Sequence, residues 1–181
     1  MSSDEALILA VAGRLVEVAR GVVADYAGPY APIRTDQLSA LLRGAGCHVE
    51  VFPFQSDTIA MTLPRCAEVY PVLVNRNAER MDRAFAFRHE VAHVLAGDVE
   101  GAVFLDDNGY MAMPERIADL FTLADLVPGW WITDVRKGQT PWWRVRAEIA
   151  CAIGEYAESW IPERLEDRAK LRLGLFRDLG V

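Results

Sequence analysis

The sequence of 181 residues predicts an α+β fold, in which a small, mainly antiparallel three-stranded sheet packs on one long apolar helix. Apolar residues recur at helical spacing near the start of the chain and again over residues 77–96. Between those segments, residues 47–74 contain three short runs of β-branched and aromatic residues, which are typical of strands. The hydrophobic fraction of 52% suits a compact core and argues against a disordered chain.

Two helices are predicted before the sheet. The first covers residues 4 to about 27, where apolar residues follow a helical period, and Gly28-Pro29 ends it. The second is short and extends at its widest over residues 35–46, with a polar start and a glycine end that are typical of helix caps.

The predicted strands cover residues 47–54, 58–63 and 68–74. Pro71 lies in the third run and cannot donate a ladder hydrogen bond. We therefore expect this run to be an edge strand or to be broken. An edge strand there could bind an extended substrate segment by strand addition.

The next predicted helix covers residues 77–96, with Asn77 as its cap and Gly97 as its stop. Apolar residues lie on nearly all of its sides, which indicates a buried helix. Any metal ligands on it should therefore lie on the floor of a cleft. A further helix is expected from Met113-Pro114 to the residue before Pro128.

The chain should form a single domain over residues 1–181, because it contains no repeats and no low-complexity linker. The core is expected at residues 4–128, followed by a helical extension over residues 129–181. Its two helices are predicted over residues 140–156 and 162–180. The extension contains all five tryptophans: Trp130, Trp131, Trp142, Trp143 and Trp160. We favour a role in docking the extension onto the core; the alternative is a surface for substrate or for a homodimer.

Charge and composition exclude several classes of function. The net charge of −7 and the pI near 5.0 argue against direct nucleic-acid binding, which needs clustered Lys and Arg. No apolar stretch is long enough to span a bilayer, and acidic residues precede the apolar run at 6–12, unlike in a signal peptide. The three cysteines are odd in number and scattered, so we expect a reducing, cytoplasmic environment.

The strongest functional signal is the segment His89-Glu90-Val91-Ala92-His93. On a helix, residues i and i+4 share one face, so the two imidazoles can bind one ion. Glu90 is then placed to take a proton from a water on the metal, as in HExxH metallopeptidases. Two hydrogen-bonded core histidines are the structural alternative. The sequence favours a zinc site, and Mn²⁺ is a possible substitute.

A catalytic zinc needs a third protein ligand. His48, the other histidine in the chain, is expected to be structural or exposed, which leaves the downstream carboxylates Asp98, Glu100, Asp106, Asp107, Glu115 and Asp119. Glu115 and Asp119 stand out because they are i and i+4 on the next helix. One carboxylate can bind the ion while the other accepts the second ring N–H of a ligating histidine. We favour Glu115 as ligand; the alternative is that Glu115 stabilises a helix N-terminus and Asp119 is solvated.

Two segments resemble the ImmA/IrrE family of metallopeptidases. Residues 83–93 read RAFAFRHEVAH and look like the segment that leads through that family's zinc motif. Residues 115–128 read ERIADLFTLADLVP and are similar to its second block, although Ile117 stands where the family often has an acidic residue and Asp125 replaces a common leucine. The resemblance covers about residues 35–128. It implies a gluzincin-like site: His89, His93 and Glu115 as ligands, Glu90 as base, and Asp119 as the partner of a ligating histidine.

The resemblance also implies a function. Members of this family typically cleave a helix-turn-helix repressor and thereby switch on phage, mobile-element or stress-response genes. The oxyanion formed during cleavage needs a donor besides the metal, and the candidates are Tyr110, Tyr70 and His48. The alternatives are a non-catalytic metal-binding sensor of the same fold and a zinc hydrolase that acts on a small molecule.

Overall fold

The computed structural model describes residues 3–23, 32–66, 68–97 and 113–126, together with residues 138, 141 and 144. In these parts, four helices and three strands confirm the predicted α+β class. The helices are α1 (Ser3–Val22), α2 (Thr35–Gly44), α3 (Arg80–Ala96) and α4 (Met113–Leu126), and the strands are β1 (Cys47–Phe52), β2 (Ala60–Thr62) and β3 (Tyr70–Asn75). Apart from residues 141 and 144, the two predicted helices after residue 139 lie outside the described residues, and so do the five tryptophans.

The three strands form a mixed sheet in the order β1-β3-β2. The longer pairing, between β1 and β3, is parallel, and only the three-residue pairing of β2 with β3 is antiparallel. The prediction of a mainly antiparallel sheet is therefore wrong in this detail. A bridge between Cys66 and Val69 closes β2 and β3 into a hairpin, and β1 joins the far side of β3.

The strand that contains Pro71 is central and unbroken over Tyr70–Asn75, so the prediction of an edge strand or a broken strand is wrong. The carbonyl of Pro71 accepts a hydrogen bond of 2.8 Å from the amide of Leu63. Because the N and C=O of one strand residue point to the same side, the missing N–H of Pro71 faces Leu63, just beyond the end of β2. The proline thus costs one hydrogen bond at the end of a short ladder, and a central position is tolerated.

The core lies between the sheet and the helices. Helix α1 packs on α4, and α3 packs on both α4 and the hairpin strands. Helix α1 buries one face at helical spacing, and the core residues of this face are Ile8, Ala12, Leu15, Val16 and Ala19. Among the described helices, none is long and apolar enough to cross a membrane.

Helix α3 ends where the sequence predicts and begins later. Gly97 ends it with a φ of 79°, a left-handed conformation that glycine adopts without strain. The predicted cap at Asn77 is wrong, because the helix begins at Arg80 and Glu79 occupies the cap position. The side-chain amide of Asn77 instead donates to the carbonyl of Phe54, which holds the turn against the end of the sheet.

Candidate metal centre

Helix α3 carries the two histidines on one face. Val91 and Ala92, which lie between them in sequence, are buried in the core and set the orientation of the helix. The side chains of His89 and His93 keep 17% and 13% of their surface exposed, so they line a site that solvent can reach. The expectation that the imidazoles lie at the floor of a cleft stays a prediction.

Helix α4 brings two carboxylates to the same place. Its buried face includes Ile117, Ala118 and Phe121, and these residues pack it against the core. Glu115 in its first turn and Asp119 one turn later lie beside the histidines of α3. The i, i+4 relationship that singled out these carboxylates in the sequence therefore has a direct structural counterpart.

Four atoms of His89, His93 and Glu115 converge. The two Nε2 atoms are 3.0 Å apart, and the Glu115 oxygens lie 3.0 Å from Nε2 of His89 and 3.3 Å from Nε2 of His93. Two ligands of a tetrahedral zinc ion, each about 2.1 Å from the metal, are about 3.4 Å apart. The observed spacings are close to that value, and this His-His-Glu group could hold a metal ion.

Asp119 sets the chemistry of His89. Its Oδ1 lies 2.9 Å from Nδ1 of His89, so the ring donates Nδ1–H to the carboxylate and, when neutral, directs the lone pair of Nε2 at the ligand group. Burial lowers the pKa of His89, but the hydrogen bond to Asp119 and the charges of Asp119, Glu115 and Glu90 outweigh burial. The net effect raises this pKa above its ordinary value of 6.5.

Glu90, the expected base, lies beside this ligand group without belonging to it. Its Oε2 accepts a hydrogen bond of 2.6 Å from the hydroxyl of Thr62 in β2. Thr62 pairs with the buried Val72, so its side chain is on the face of the sheet that packs against the helices. Sequence reasoning missed Thr62, because the contact depends on how β2 packs on α3.

Of the other predicted residues, the structure describes His48 and Tyr70, and neither contacts the described site residues. His48 is exposed on β1, at the far edge of the sheet from β2, and points away from the face that Cys47 buries. Tyr70 is partly buried, lies 5.8 Å from the guanidinium of Arg65, and forms no hydrogen bond with the described site residues. Tyr110 lies outside the described residues, as do four of the carboxylates considered as ligands: Asp98, Glu100, Asp106 and Asp107.

A buried ionic network supports the two helices behind the site. Arg88 donates through Nε to Oδ2 of Asp125 over 2.8 Å and through Nη2 to the carbonyl of Ile33 over 2.7 Å. The second oxygen of Asp125 accepts the amide hydrogen of Ile33 over 3.0 Å. The sequence contained a signal for this network. Helix α3 carries the positively charged Arg88 among apolar neighbours, and helix α4 carries the negatively charged Asp125 among apolar neighbours.

Models of known protein families give no match to this sequence, and no curated protein matches it. Functional assignment therefore depends on the site itself. Two imidazoles and a carboxylate that converge on one point form a donor set suited to zinc and other divalent transition metals. A further carboxylate next to this set is suited to proton transfer.

Proposed function

We propose that this protein is a zinc-dependent endopeptidase of the ImmA/IrrE type. The observation that carries the proposal is the convergence of His89, His93 and Glu115, with Glu90 beside them. This is the arrangement that the resemblance to the family implies. A simple pair of structural histidines does not require a carboxylate between them or a second carboxylate behind one ring.

The described residues have separate roles in the proposed mechanism. An ion held by the ligand group would supply a Lewis acid for the scissile carbonyl and an acidified water. Asp119 holds the ring of His89 in one tautomer and orientation through the hydrogen bond at Nδ1. Oε1 of Glu90 accepts no hydrogen bond from any described residue, so this oxygen is free to take a proton and pass it to the leaving amine.

The free edge of β2 offers a place for an extended peptide. The carbonyl of Ile59 and the amide of Leu63 bond to β3, so by alternation the backbone groups of Ala60 and Thr62 point away from β3. Among the described strands, none pairs with this outer edge. Because Thr62 also contacts Glu90, a peptide added to β2 would pass next to the base. This edge replaces β3 as the proposed strand for substrate binding, and it favours a peptide over a small molecule.

The proposed substrate is a helix-turn-helix repressor, and its cleavage would switch on phage, mobile-element or stress-response genes. This part of the proposal comes from the resemblance to the ImmA/IrrE family. The acidic net charge of −7 is compatible with action on a DNA-binding protein without direct binding to DNA. A cytoplasmic location is part of the same proposal.

Metal analysis and a cleavage assay test the proposal together. Purified protein should contain one zinc ion per chain, or take one up, and should cleave the repressor encoded beside its gene. Glu90→Gln should retain the metal and lose cleavage, because the amide cannot accept the proton. Stoichiometric zinc without Glu90-dependent cleavage would instead identify a non-catalytic sensor or a hydrolase of a small molecule. Absence of metal after added Zn²⁺ or Mn²⁺ would refute the metal centre.

A further inference from the structure

The hydrogen bond between Thr62 and Glu90 ties the sheet to the site helix. It spans 2.6 Å, within the range of about 2.5–2.7 Å typical of strong hydroxyl-to-carboxylate bonds. The two residues are 28 positions apart in the chain, so the bond depends on tertiary packing. It restrains a glutamate side chain that would otherwise sample several rotamers.

This restraint matters because Glu90 is itself a potential ligand. Carboxylate oxygens bind zinc, and Glu90 adjoins His89 in sequence. A catalytic centre has to keep one position open for water or substrate, and a fourth protein ligand would close it. In the structure, Glu90 is not among the residues whose ligand atoms meet within 4.8 Å, and its Oε2 is bonded to Thr62 instead.

We infer that Thr62 is a positioning residue whose hydroxyl holds Glu90 beside the metal centre and keeps its carboxylate out of the coordination sphere of the ion. The inference rests on the proposed metallopeptidase function. One oxygen of Glu90 is occupied by Thr62, and Oε1 stays available for proton transfer. Thr62 thus leaves Glu90 able to act as a base and prevents it from binding the ion as a ligand.

Water-proton relaxation of the Mn²⁺-loaded protein measures whether Glu90 enters the coordination sphere, because the relaxation responds to the water molecules bound to the ion. Thr62→Val removes the hydroxyl at nearly constant volume, and Thr62→Ser retains it. An octahedral Mn²⁺ with three protein ligands binds three waters, so entry of Glu90 should remove about one third of the inner-sphere relaxivity. We expect this loss in Thr62→Val and not in Thr62→Ser.

A double variant shows whether the effect acts through Glu90. Glu90→Ala removes the competing carboxylate, so Thr62→Val/Glu90→Ala should recover the relaxivity of the wild type. Visible absorption of the Co²⁺-loaded proteins gives a second measurement: the spectrum should change in Thr62→Val and return in the double variant. Thr62→Ala is a second hydroxyl-free variant, and circular dichroism confirms that each protein is folded.

Three outcomes would overturn the inference, and they are distinguishable. If the wild type binds the ion and Thr62→Val and Thr62→Ala keep its relaxivity and spectrum, the positioning role is refuted while the metal centre stands. The positioning role is also refuted if the loss of relaxivity persists in the Glu90→Ala background. If the wild type binds neither Mn²⁺ nor Co²⁺, the metal centre fails, and the role of Thr62 fails with it.

Discussion

Arg88 and Asp125 form an ion pair in which neither side chain has any exposed surface, with Nε and Oδ2 2.8 Å apart. Arg88 immediately precedes His89 on α3, and Asp125 follows Glu115 and Asp119 on α4. Both partners also bond to the backbone of Ile33, just before α2. The pair therefore joins the two helices that carry the candidate metal ligands, and its geometry sets how one helix lies against the other.

Breaking this pair should strongly destabilise the protein. Asp125→Leu leaves the Arg88 guanidinium buried without its carboxylate, and such changes typically cost about 3–5 kcal/mol of unfolding free energy. Urea denaturation of the metal-free protein measures the loss. Arg14→Ala is a suitable control, because its ion pair with Glu17 is exposed and its removal should cost less than about 1 kcal/mol.

The double variant Arg88→Met/Asp125→Leu should recover part of that loss. It removes both charges, although the backbone groups of Ile33 then lack partners at a cost of about 1–3 kcal/mol each. We expect the double variant to lose less than the sum of the two single variants. Strict additivity would show that the two side chains do not interact energetically.

Removal of a ligand should abolish stoichiometric metal binding. His93→Ala and Glu115→Gln each remove one of the three converging groups, so zinc affinity should fall more than the roughly 10–100-fold typical of supporting residues. Calorimetric titration with Zn²⁺ measures it. His48→Ala is the matched control, since that histidine is exposed on β1, at the far edge of the sheet. The zinc affinity of this variant should equal that of the wild type. Equal losses in all three variants would contradict the assignment.

Metal affinity should fall as the pH falls, and Asp119 should set where the fall begins. The ion needs an unprotonated Nε2, and the raised pKa of His89 keeps the proton on the ring to a higher pH than in a free histidine. Asp119→Asn removes the charge that contributes to this shift, so the decline should move to lower pH. Zn²⁺ titrations at neutral and mildly acidic pH measure the change. An unchanged pH dependence in Asp119→Asn would show that another group controls binding.

In the metal-free protein, the contribution of His89 to folding stability should change with pH in the opposite direction to metal affinity: it grows as the pH falls. A pKa that is higher in the folded state than in the unfolded state means that protonated His89 stabilises the fold. This contribution is fully present below the unfolded pKa near 6.5 and disappears as the pH rises through the folded value. NMR titration of the apo protein gives that folded pKa, and a value at or below 6.5 would contradict this account.

Substitutions at the free edge of β2 should weaken substrate binding and leave metal binding unchanged. Ala60→Pro removes an outward-facing amide hydrogen and spares the bonds to β3, so we expect KM to rise about tenfold, as for the loss of one hydrogen bond. Cleavage kinetics measure the change, and zinc affinity should not change. Met61→Pro is the contrasting variant, because its amide faces β3 and its loss should lower stability. A KM unaffected by Ala60→Pro would place the substrate elsewhere.

Helix positions followed from the sequence more closely than strand neighbours did. Gly44 at the end of α2 and Gly97 after α3 are local signals, and both helices end where these glycines predict. Pairing is not local: runs of β-branched residues identify strands without identifying which strands are adjacent. Pro71 was misleading, because the exclusion of proline from central strands depends on which side its nitrogen faces.

In the site too, local spacing predicted some residues, whereas contacts that depend on tertiary packing were not predicted. His89 and His93 follow from spacing within one helix, and Glu115 and Asp119 from spacing within the next. Thr62 and Asp125 act across 28 and 37 residues of sequence, and no periodicity links them to their partners. Asp125 interrupts an apolar helix face, which is a local anomaly that indicates a buried partner without identifying Arg88.

The candidate ligands lie on two helices that are separated by residues 97–112 of the chain. An ion bound to all three would act as a reversible cross-link between α3 and α4. By mass action, free zinc at about 100 times its dissociation constant adds about 2.7 kcal/mol to folding stability. The lifetime of this protein in a cell would then follow zinc supply, so that metal starvation would lower its abundance as well as its activity.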